Sequence, residues 1–338
     1  MGGDDAPDMV VEGMRLARRR HPEVSFLLMG DEARVQPLLD RAPELRDVCT
    51  FRHTPDVVTN DAKPSQVLRH GRKSSMWLAV EAVANGEADG VVSAGNTGAL
   101  MAVSKFVLRT VPGIDRPAIA SFFPSQGPDV VMLDLGANVD CDANNLVEFA
   151  VMGEVFARIV LGRENPSIGI LNVGSEDMKG HAEVRLAASI LRETKLPLRF
   201  HGFVEGNDIG AGTVDVVVTD GFTGNVVLKT IEGSAKLFTG FLKDAVRASF
   251  LAKIGFLLAR PALQAVRNRA DPRRYNGAMF LGLNGITVKS HGGTDALGFA
   301  NAIGVAIDLV RQGFNDKIKD ELAHLGDPQP ESSVVSPA

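Results

Sequence analysis

Four short segments of the sequence place glycine beside small polar residues, directly after a run of apolar residues. They are named here the Ser93 turn (residues 93–98), the Asp134 turn (134–138), the Asn172 turn (172–177) and the Asp220 turn (220–225). Glycine lets a backbone approach a ligand closely, and free N–H groups at a helix start attract an anion. Each segment alone is equally typical of a tight strand-to-helix turn. Four of them together favour a shared anion-binding site.

Two further segments place positive charge beside glycine. Lys179 follows the Asn172 turn and precedes Gly180, while Lys289 and His291 precede a Gly-Gly pair. A lysine is a compact positive charge that suits phosphate, although most lysines are solvated surface cations. Within the Ser93 turn, residues 95–98 have the composition of a phosphate cradle at a helix start.

The sequence lacks the motifs of several common enzyme classes. It contains no G-x-x-x-x-G-K-[ST] loop, no G-x-G-x-x-G fingerprint, no G-x-S-x-G turn and no H-E-x-x-H pair. The seven His are scattered, and the two Cys are too few for a Cys-based zinc site. Cys141 lies close to the Asp134 turn, where a small buried side chain is the favoured interpretation. Chemistry in such a site therefore needs a nucleophile that arrives with the substrates.

Alternating strands and helices must position these turns. Continuous apolar runs predict strands, and the apolar-periodic stretches that follow them predict helices. The predicted strands are residues 25–29, 91–93, 130–135, 168–173 and 214–219. Strands that are apolar along their whole length indicate a mostly parallel sheet covered on both faces, and ligands bind at the carboxyl ends of such strands. No Pro- or Ser-rich linker divides the chain, so a single α/β domain is expected over residues 1–325.

The segment 234–270 differs from the rest of the chain. It is one long helical pattern, which we expect to break near Gly255 and Pro261. Residues 245–275 contain seven Lys or Arg against one acid, with large apolar residues interleaved. A basic amphipathic helical pair suits an anionic membrane surface or an acidic partner. The alternative is an ordinary hairpin whose apolar face is core or dimer interface. Beyond it, residues 326–338 have the composition of a disordered tail.

Composition excludes several functions. The net charge is −5, and aromatic residues make up 6% of the 338 residues. Both values argue against nucleic-acid binding, which needs basic surface and aromatic stacking platforms. No apolar run approaches the roughly 18 residues of a membrane-spanning helix, and no signal peptide is expected at the start.

Seven segments, in this order, resemble the bacterial phosphate acyltransferases of phospholipid synthesis, the PlsX family. They are residues 1–4, 74–76, 93–100, 113–118, 136–140, 171–177 and 219–226. The resemblance covers nearly the whole chain. It implies a Rossmann-like three-layer α/β/α fold with a mostly parallel sheet, related to isocitrate and isopropylmalate dehydrogenases and to phosphate acetyltransferases. It also implies a protruding amphipathic helical hairpin, which matches segment 234–270.

The resemblance further implies the reaction. A long-chain acyl group passes from acyl-[acyl-carrier protein] to inorganic phosphate, and the acyl phosphate feeds a membrane glycerol-3-phosphate acyltransferase. The family is cytoplasmic and homodimeric, attaches peripherally to the inner face of the cell membrane, and needs no metal, nucleotide or other cofactor. The matching catalytic positions are Lys179, which would hold phosphate, and Asn225, which would donate to the tetrahedral oxyanion.

Other positions are expected to bind substrate or the membrane. Those expected to line the phosphate site are Gly95, Asn96, Thr97, Gly98, Asn138, Asp220, Thr223, Gly224 and His291. Those expected to contact membrane or carrier protein are Phe250, Leu251, Leu257, Leu258 and Arg260.

The sequence departs from the family pattern at two places. Asp5 stands where the family usually has His or Tyr, and its carboxylate would repel phosphate. The family also has a short strand before the segment that matches residues 1–4, so we expect the natural protein to carry an apolar strand upstream of Met1.

Three other functions stay open at this level. A short-chain phosphate acyltransferase that uses coenzyme A would have the same fold. A metal- and NAD-dependent decarboxylating dehydrogenase is disfavoured, because the Arg- and Asp-rich signature expected of its site is missing. A non-catalytic scaffold for carrier protein at the membrane surface is the third.

Overall fold

The computed structural model of the chain describes residues 1–326 except 195, 248, 270, 272 and 274; for residues 250, 262, 265, 267–269 and 321–326 it describes the backbone alone. The helices are α1 (Asp8–Arg20), α2 (Glu32–Asp40), α3 (Pro64–His70), α4 (Ser75–Ala84), α5 (Thr97–Leu108), α6 (Ala143–Val160), α7 (Ala182–Glu193), α8 (Gly206–Ala211), α9 (Gly221–Arg247), α10 (Phe250–Arg269), α11 (Ala296–Arg311) and α12 (Phe314–Gly326). The strands are β1 (Phe26–Gly30), β2 (Cys49–His53), β3 (Gly90–Ser93), β4 (Ala118–Phe123), β5 (Val130–Leu133), β6 (Ser167–Leu171), β7 (Arg199–Val204), β8 (Val216–Val218), β9 (Ala278–Leu281) and β10 (Ile286–Lys289). The predicted disordered tail lies, apart from Gly326, outside the described residues.

Eight strands form the central sheet, in the order β3-β10-β9-β4-β5-β8-β6-β7, and β1 and β2 form a separate parallel pair. Each of the five predicted strands is present, as β1, β3, β5, β6 and β8. Neighbours at both ends of the central sheet are parallel, which confirms the prediction of a mostly parallel sheet. At the centre, β10, β9, β4 and β5 pair antiparallel, which was not expected.

Short connections explain two of the three antiparallel pairings, β9 with β10 and β4 with β5. Four residues, 282–285, join β9 to β10, and six residues, 124–129, join β4 to β5. A parallel pair needs a crossover of about a dozen residues or more, whereas an antiparallel pair can be joined by a tight turn. The lengths of these two links therefore permit only the antiparallel pairing.

Both faces of the sheet are covered, which gives three layers. Alternate residues of a strand point to opposite faces. In β5, Val131 and Leu133 belong to a core shared with α6, whereas Val130 and Met132 belong to a second core shared with α4 and α5. A third cluster joins α1 and α11. The single-domain organisation over residues 1–325 stays a prediction.

The basic segment forms two helices whose bounds differ from the prediction. The expected break near Gly255 and Pro261 is wrong, because α10 continues through both residues. The helices α9 and α10 instead meet between Arg247 and Phe250, and they contact each other. The first helix begins at Gly221, so it leads directly out of the Asp220 turn. The Ala-, Leu- and Arg-rich surroundings of Pro261 have high helix propensity, which outweighs the one hydrogen bond that proline removes.

Packing of α6 on the sheet makes a test of the fold. A Cβ added to Gly153 would lie 2.6 Å from Val216 Cγ1 and 2.9 Å from Leu133 Cδ2. We expect Gly153→Ala to lower the free energy of unfolding by about 1–2 kcal/mol, since overpacking outweighs the gain in helix propensity. The matched control is Gly233→Ala in α9, where the added Cβ meets nothing within 4 Å. Urea unfolding measures both, and a Gly153→Ala protein as stable as the control would contradict this packing.

Candidate active site

Three of the four glycine-containing turns lie at the same end of the sheet, where three neighbouring strands reach their carboxyl ends. This row of turns is called the turn edge below. The Asp134, Asp220 and Asn172 turns follow β5, β8 and β6, which are neighbouring parallel strands. Neighbouring strands are about 4.8 Å apart, so the three turns lie side by side. The Ser93 turn follows β3, which runs in the opposite direction. Strand order alone therefore unites three of the four turns.

The buried carboxylate of Asp134 organises its own turn. Oδ1 accepts hydrogen bonds from the backbone N–H groups of Ile119, Gly136 and Ala137 at 2.9–3.2 Å. Oδ2 accepts from the backbone N–H of Asn138 at 2.7 Å and from its side-chain amide at 3.0 Å. Burial raises the pKa of Asp134, against the opposing effect of these donors. The N–H groups of this turn are thus bonded within the protein, and Asn138, predicted to line the phosphate site, holds the turn through its amide nitrogen.

The Asp220 turn is joined to the Asp134 turn and begins α9. The N–H of Gly221 donates to the carbonyl oxygen of Asn138 at 2.7 Å. The Asp220 carboxylate accepts hydrogen bonds from both the backbone N–H and the hydroxyl of Thr223, each at 2.8 Å. This arrangement is a helix N-cap, in which a carboxylate is stabilised by free N–H groups and by the helix dipole. A side chain at Gly224 would collide with the carbonyl oxygen of Asp134.

Asn225 presents a free amide at this edge. Its side chain is exposed, and no hydrogen bond described for the structure uses it. It lies beside Gly136, where an added Cβ would be 3.5 Å from Asn225 Cβ. Gly136 has φ +126°, a conformation that favours glycine. The site therefore offers a neutral hydrogen-bond donor at the fifth residue of α9, close to the helix N-terminus, where negative charge is stabilised.

Lys179 follows the strand next to that of Asn225. Its ammonium group forms an ion pair with Glu176 Oε2 at 2.9 Å, and its side chain is half exposed. The hydrogen bond and charge of Glu176 raise the pKa of Lys179, so the group is a cation at neutral pH. Asn172 holds the loop by donating to the carbonyl oxygen of Lys179 at 3.0 Å. The described contacts place Lys179 and Asn225 at the same edge without joining them directly.

The Ser93 turn lies beside the β10 end of the sheet. Asn96 caps α5 by accepting from the N–H of Ala99 at 2.9 Å, and its amide donates to the carbonyl oxygens of Asn60 and Ala62. Both polar ends of the Asn96 side chain are therefore occupied. Gly95 is buried, while Thr97 and Gly98 are exposed on the first turn of α5.

His291 and Lys289 lie next to this turn, because Lys289 is the register partner of Ser93. The backbone N–H of His291 donates to Asn276 Oδ1 at 2.8 Å, and its ring Nδ1 accepts from the N–H of Gly293 at 3.1 Å. The other ring nitrogen, Nε2, therefore stays available on an exposed side chain. Lys289 is buried, and the charge of Lys229 in α9 acts on it. Helix α9 thus extends from the Asp220 turn to the vicinity of the Ser93 turn.

Cys141 has the properties of an inert thiol. It lies next to the Asp134 turn, with its Sγ 3.7 Å from the carbonyl oxygen of Asn138. Burial, assisted by the charge of Asp134, raises its pKa to about 12. A thiol attacks as the thiolate, so Cys141 is a poor nucleophile at neutral pH.

Outside the turns, α9 and α10 expose an unusual amount of apolar surface. Leu251 and Leu258 are each 78% exposed and Leu257 is 65% exposed; Arg260 is also exposed. The side chain of Phe250, predicted to lie with them, is outside the described residues.

Within the described part of the chain, no helix is both long and apolar enough to cross a bilayer. No cluster of three metal-binding side chains occurs there either.

Comparison with known proteins identifies the family. A family model described as "Fatty acid synthesis protein" matches residues 1–317. The phosphate acyltransferase of Paramagnetospirillum magneticum is 68% identical over 96% of this chain and 93% of its own length. The chain belongs to the phosphate acyltransferase family. The phosphate acyltransferase of Rhodospirillum rubrum is 65% identical, again over 96% of this chain and 93% of its own length.

Family membership confirms the resemblance found in the sequence. The chain is an acyltransferase with phosphate acyltransferase activity in fatty acid and phospholipid synthesis. The scaffold and dehydrogenase alternatives are therefore set aside.

Solved structures show the same fold at low identity. A phosphotransacetylase from Streptococcus pyogenes is similar with a TM-score of 0.61 and 18% identity, over 90% of this chain and 92% of that one. A branched-chain phosphotransacylase from Enterococcus faecalis V583 has a TM-score of 0.52 and 12% identity, over 86% of this chain and 100% of that one. The likeness to isocitrate and isopropylmalate dehydrogenases stays a prediction.

Sequence reasoning missed two features of the site. It placed no role on the Asp134 carboxylate beyond the turn itself, and it noted Lys289 beside a Gly-Gly pair without assigning it to the site.

The contact between Gly174 and Lys179 makes a test of the site. A Cβ on Gly174 would lie 2.5 Å from Lys179 Cδ and 2.8 Å from Glu176 Oε2. We expect Gly174→Ala to lower turnover several-fold, because the added methyl displaces Lys179, with little change in stability since Lys179 is exposed and flexible. Gly206→Ala, where the added Cβ meets nothing within 4 Å, is the control. Steady-state kinetics measure the effect, and equal turnover in both variants would show that Lys179 works from another position.

Proposed function

We propose that the enzyme transfers a long-chain acyl group from acyl-[acyl-carrier protein] to inorganic phosphate. The acyl phosphate would then feed a membrane glycerol-3-phosphate acyltransferase and so the synthesis of phosphatidic acid. The observation that carries the proposal is the chemistry at the turn edge. A cation and a free amide donor lie there, and the adjacent thiol, Cys141, has a pKa of about 12. Such a site suits direct attack by a bound phosphate rather than an acyl-enzyme.

The proposed step is one acyl transfer. A phosphate oxygen attacks the thioester carbon, the new C–O bond forms, and the C–S bond breaks. The proton of hydrogen phosphate leaves with the carrier's thiolate, so that free thiol is the second product. Lys179 holds the phosphate and offsets its charge. Asn225 donates to the oxyanion of the tetrahedral intermediate, an interaction typically worth about 10²–10³ in rate.

Long-chain substrates and products call for a hydrophobic surface near the enzyme. We infer that α9 and α10 attach a homodimer of the enzyme to the anionic inner face of the membrane. Exposed apolar residues on α10 recur at positions 251, 254 and 258, which is one face of a helix, and Lys253 and Arg260 lie exposed beside them. This combination of an apolar face and basic flanks is typical of helices that lie in a membrane interface.

The acyl donor is tested by measuring free thiol released from palmitoyl-[acyl-carrier protein], with and without inorganic phosphate. We expect release to depend on phosphate, and Lys179→Ala and Asn225→Ala each to reduce it at least tenfold because each removes a group that touches the reacting atoms. Lys319→Ala is the control, since Lys319 also forms an i,i+3 ion pair on an exposed helix.

Two outcomes would contradict the proposal separately. Faster turnover of acetyl-coenzyme A than of the carrier-bound substrate would assign a short-chain donor instead. Normal turnover in both alanine variants would be compatible with the proposed acyl donor but would show that Lys179 and Asn225 are not catalytic.

Membrane attachment is tested by co-sedimentation with vesicles of phosphatidylglycerol and phosphatidylethanolamine. We expect a Leu257→Glu/Leu258→Glu protein to lose binding while turnover of the carrier-bound substrate is retained, because exposed apolar area and charge drive interfacial binding. Added salt should weaken binding of the unmodified enzyme, since charges are screened within about 8 Å at physiological ionic strength. Leu186→Glu, at an exposed leucine on α7, is the control. Unchanged binding with a loss of dimer in sedimentation would identify the surface as a subunit contact.

A further inference from the structure

Lys289 is a buried cation whose ammonium group has more hydrogen-bond donors than the structure uses. It is the last residue of β10, and its side chain is 9% exposed. Its ammonium group donates to the carbonyl oxygen of the next residue, Ser290, in the one hydrogen bond described for it. An ammonium carries three donors. Lysine is almost never buried unless it is paired, because removing its charge from water is costly.

The sheet directs Lys289 toward the layer that contains α9. Successive side chains of a strand point to opposite faces. Val288 belongs to the core with α6, so Lys289 points to the other face. Its cross-strand partner Ala278 packs on the core of that face, as do Val227 and Leu228 of α9. Lys289 therefore points to the face of the sheet on which these residues of α9 pack.

Asn225 and Lys229 share one side of α9, because residues four apart on a helix are neighbours. Burial lowers the pKa of Lys289 to about 8, and the charge of Lys229 adds to this lowering. Lys289 thus lies within electrostatic range of Lys229, which is one helical turn beyond Asn225. His291, two residues beyond Lys289, presents an exposed ring there.

Nearby acids offset this positive charge only in part. The charge of Asp4 acts on Lys289 and opposes the lowering of its pKa. Asp4 is exposed and is held on the turn after β10, where its backbone N–H donates to the carbonyl oxygen of Gly292 at 2.9 Å. Glu232 forms an ion pair with Lys229 at 2.9 Å. Neither acid is described in contact with the Lys289 ammonium, so among the residues that the structure describes no carboxylate pairs directly with this buried charge.

We propose that Lys289 is a phosphate-binding residue of this enzyme and that Lys229 assists it from α9. The inference rests on the proposed function, because it concerns the phosphate side of the same site. An incoming phosphate dianion would supply the negative partner that Lys289 lacks and would accept its unused N–H donors. The phosphate would then lie between β10 and α9, beside Lys229.

The test uses the full chain and inorganic phosphate alone as the first probe. Phosphate should raise the melting temperature of the unmodified enzyme, as a ligand that binds the native state does. Lys289→Met keeps the length of the side chain and removes its charge. We expect this variant to lose the phosphate-induced shift while its own melting temperature is equal or higher, since an uncompensated buried cation is removed. Lys319→Met, on an exposed helix, should keep the shift.

Steady-state kinetics distinguish a role of Lys289 in phosphate binding from a purely structural role. We expect Lys289→Met to raise the KM for phosphate at least tenfold and to change the KM for the acyl donor less than twofold. Lys229→Gln, an exposed change that cannot disturb a core, should raise the KM for phosphate several-fold. Normal phosphate KM values, or an equal rise in both KM values with a lower melting temperature, would overturn the inference. If Lys289→Met fails to fold, the Lys229→Gln result decides.

These outcomes distinguish the inference from the proposed function. A phosphate shift in the unmodified enzyme that disappears in Lys289→Met supports the phosphate site even where a carrier-bound donor is not used. Phosphate-dependent thiol release with unaltered phosphate binding in both lysine variants would support the donor and refute the role of Lys289.

Discussion

The carboxylate of Asp134 accepts five hydrogen bonds in the interior of the protein, and the geometry of the turn edge depends on it. One of its donors, Ile119, belongs to the neighbouring strand β4, and the others belong to its own turn. The same turn supplies the carbonyl oxygen that receives Gly221 at the start of α9. A buried acceptor that is saturated in this way fixes the positions of its donors. Asp134 therefore holds β4, its own turn and the start of α9 together. It positions Asn225 indirectly, through the start of α9.

The parts of the fold that could be predicted are those governed by local chemistry. Apolar runs located five strands, and glycine with small polar residues located the turns that end four of them. The antiparallel centre was not predicted, because β4 and β9 are each followed by another strand and so lie outside the strand-turn-helix pattern that located the five strands. The four-residue link between β9 and β10 was legible in the sequence, and its length alone excludes a parallel crossover. The break near Gly255 and Pro261 was misplaced because a local propensity was allowed to outweigh the helical surroundings.

The candidate site was predictable in its residue types and less so in its assignments. Glycine-rich turns pointed to close backbone approach, but the structure uses the N–H groups of the Asp134 turn internally. Asn96 and Asp220 act as helix caps, a use that composition cannot separate from ligand binding because both need the same short polar side chains. Lys289 was noted as a positive charge beside glycine but was not assigned to the site, because the burial of a single charged residue depends on strand direction and on the helix above it. Neither is available before the sheet order is known.

The helix α9 is long and is fixed at one end only. It is a single helix of 27 residues, about 40 Å long, with Asn225 near one end and the exposed phenylalanines 238 and 241 toward the other. The near end is clamped by the Asp134 and Asp220 turns, while the far half has no buried residue. The N-terminal end of α9 is therefore held in place, whereas its outer half can move relative to the sheet. A sideways force on the outer half is delivered as a small rotation at Asn225, so whatever surface holds the outer half also sets the orientation of that amide.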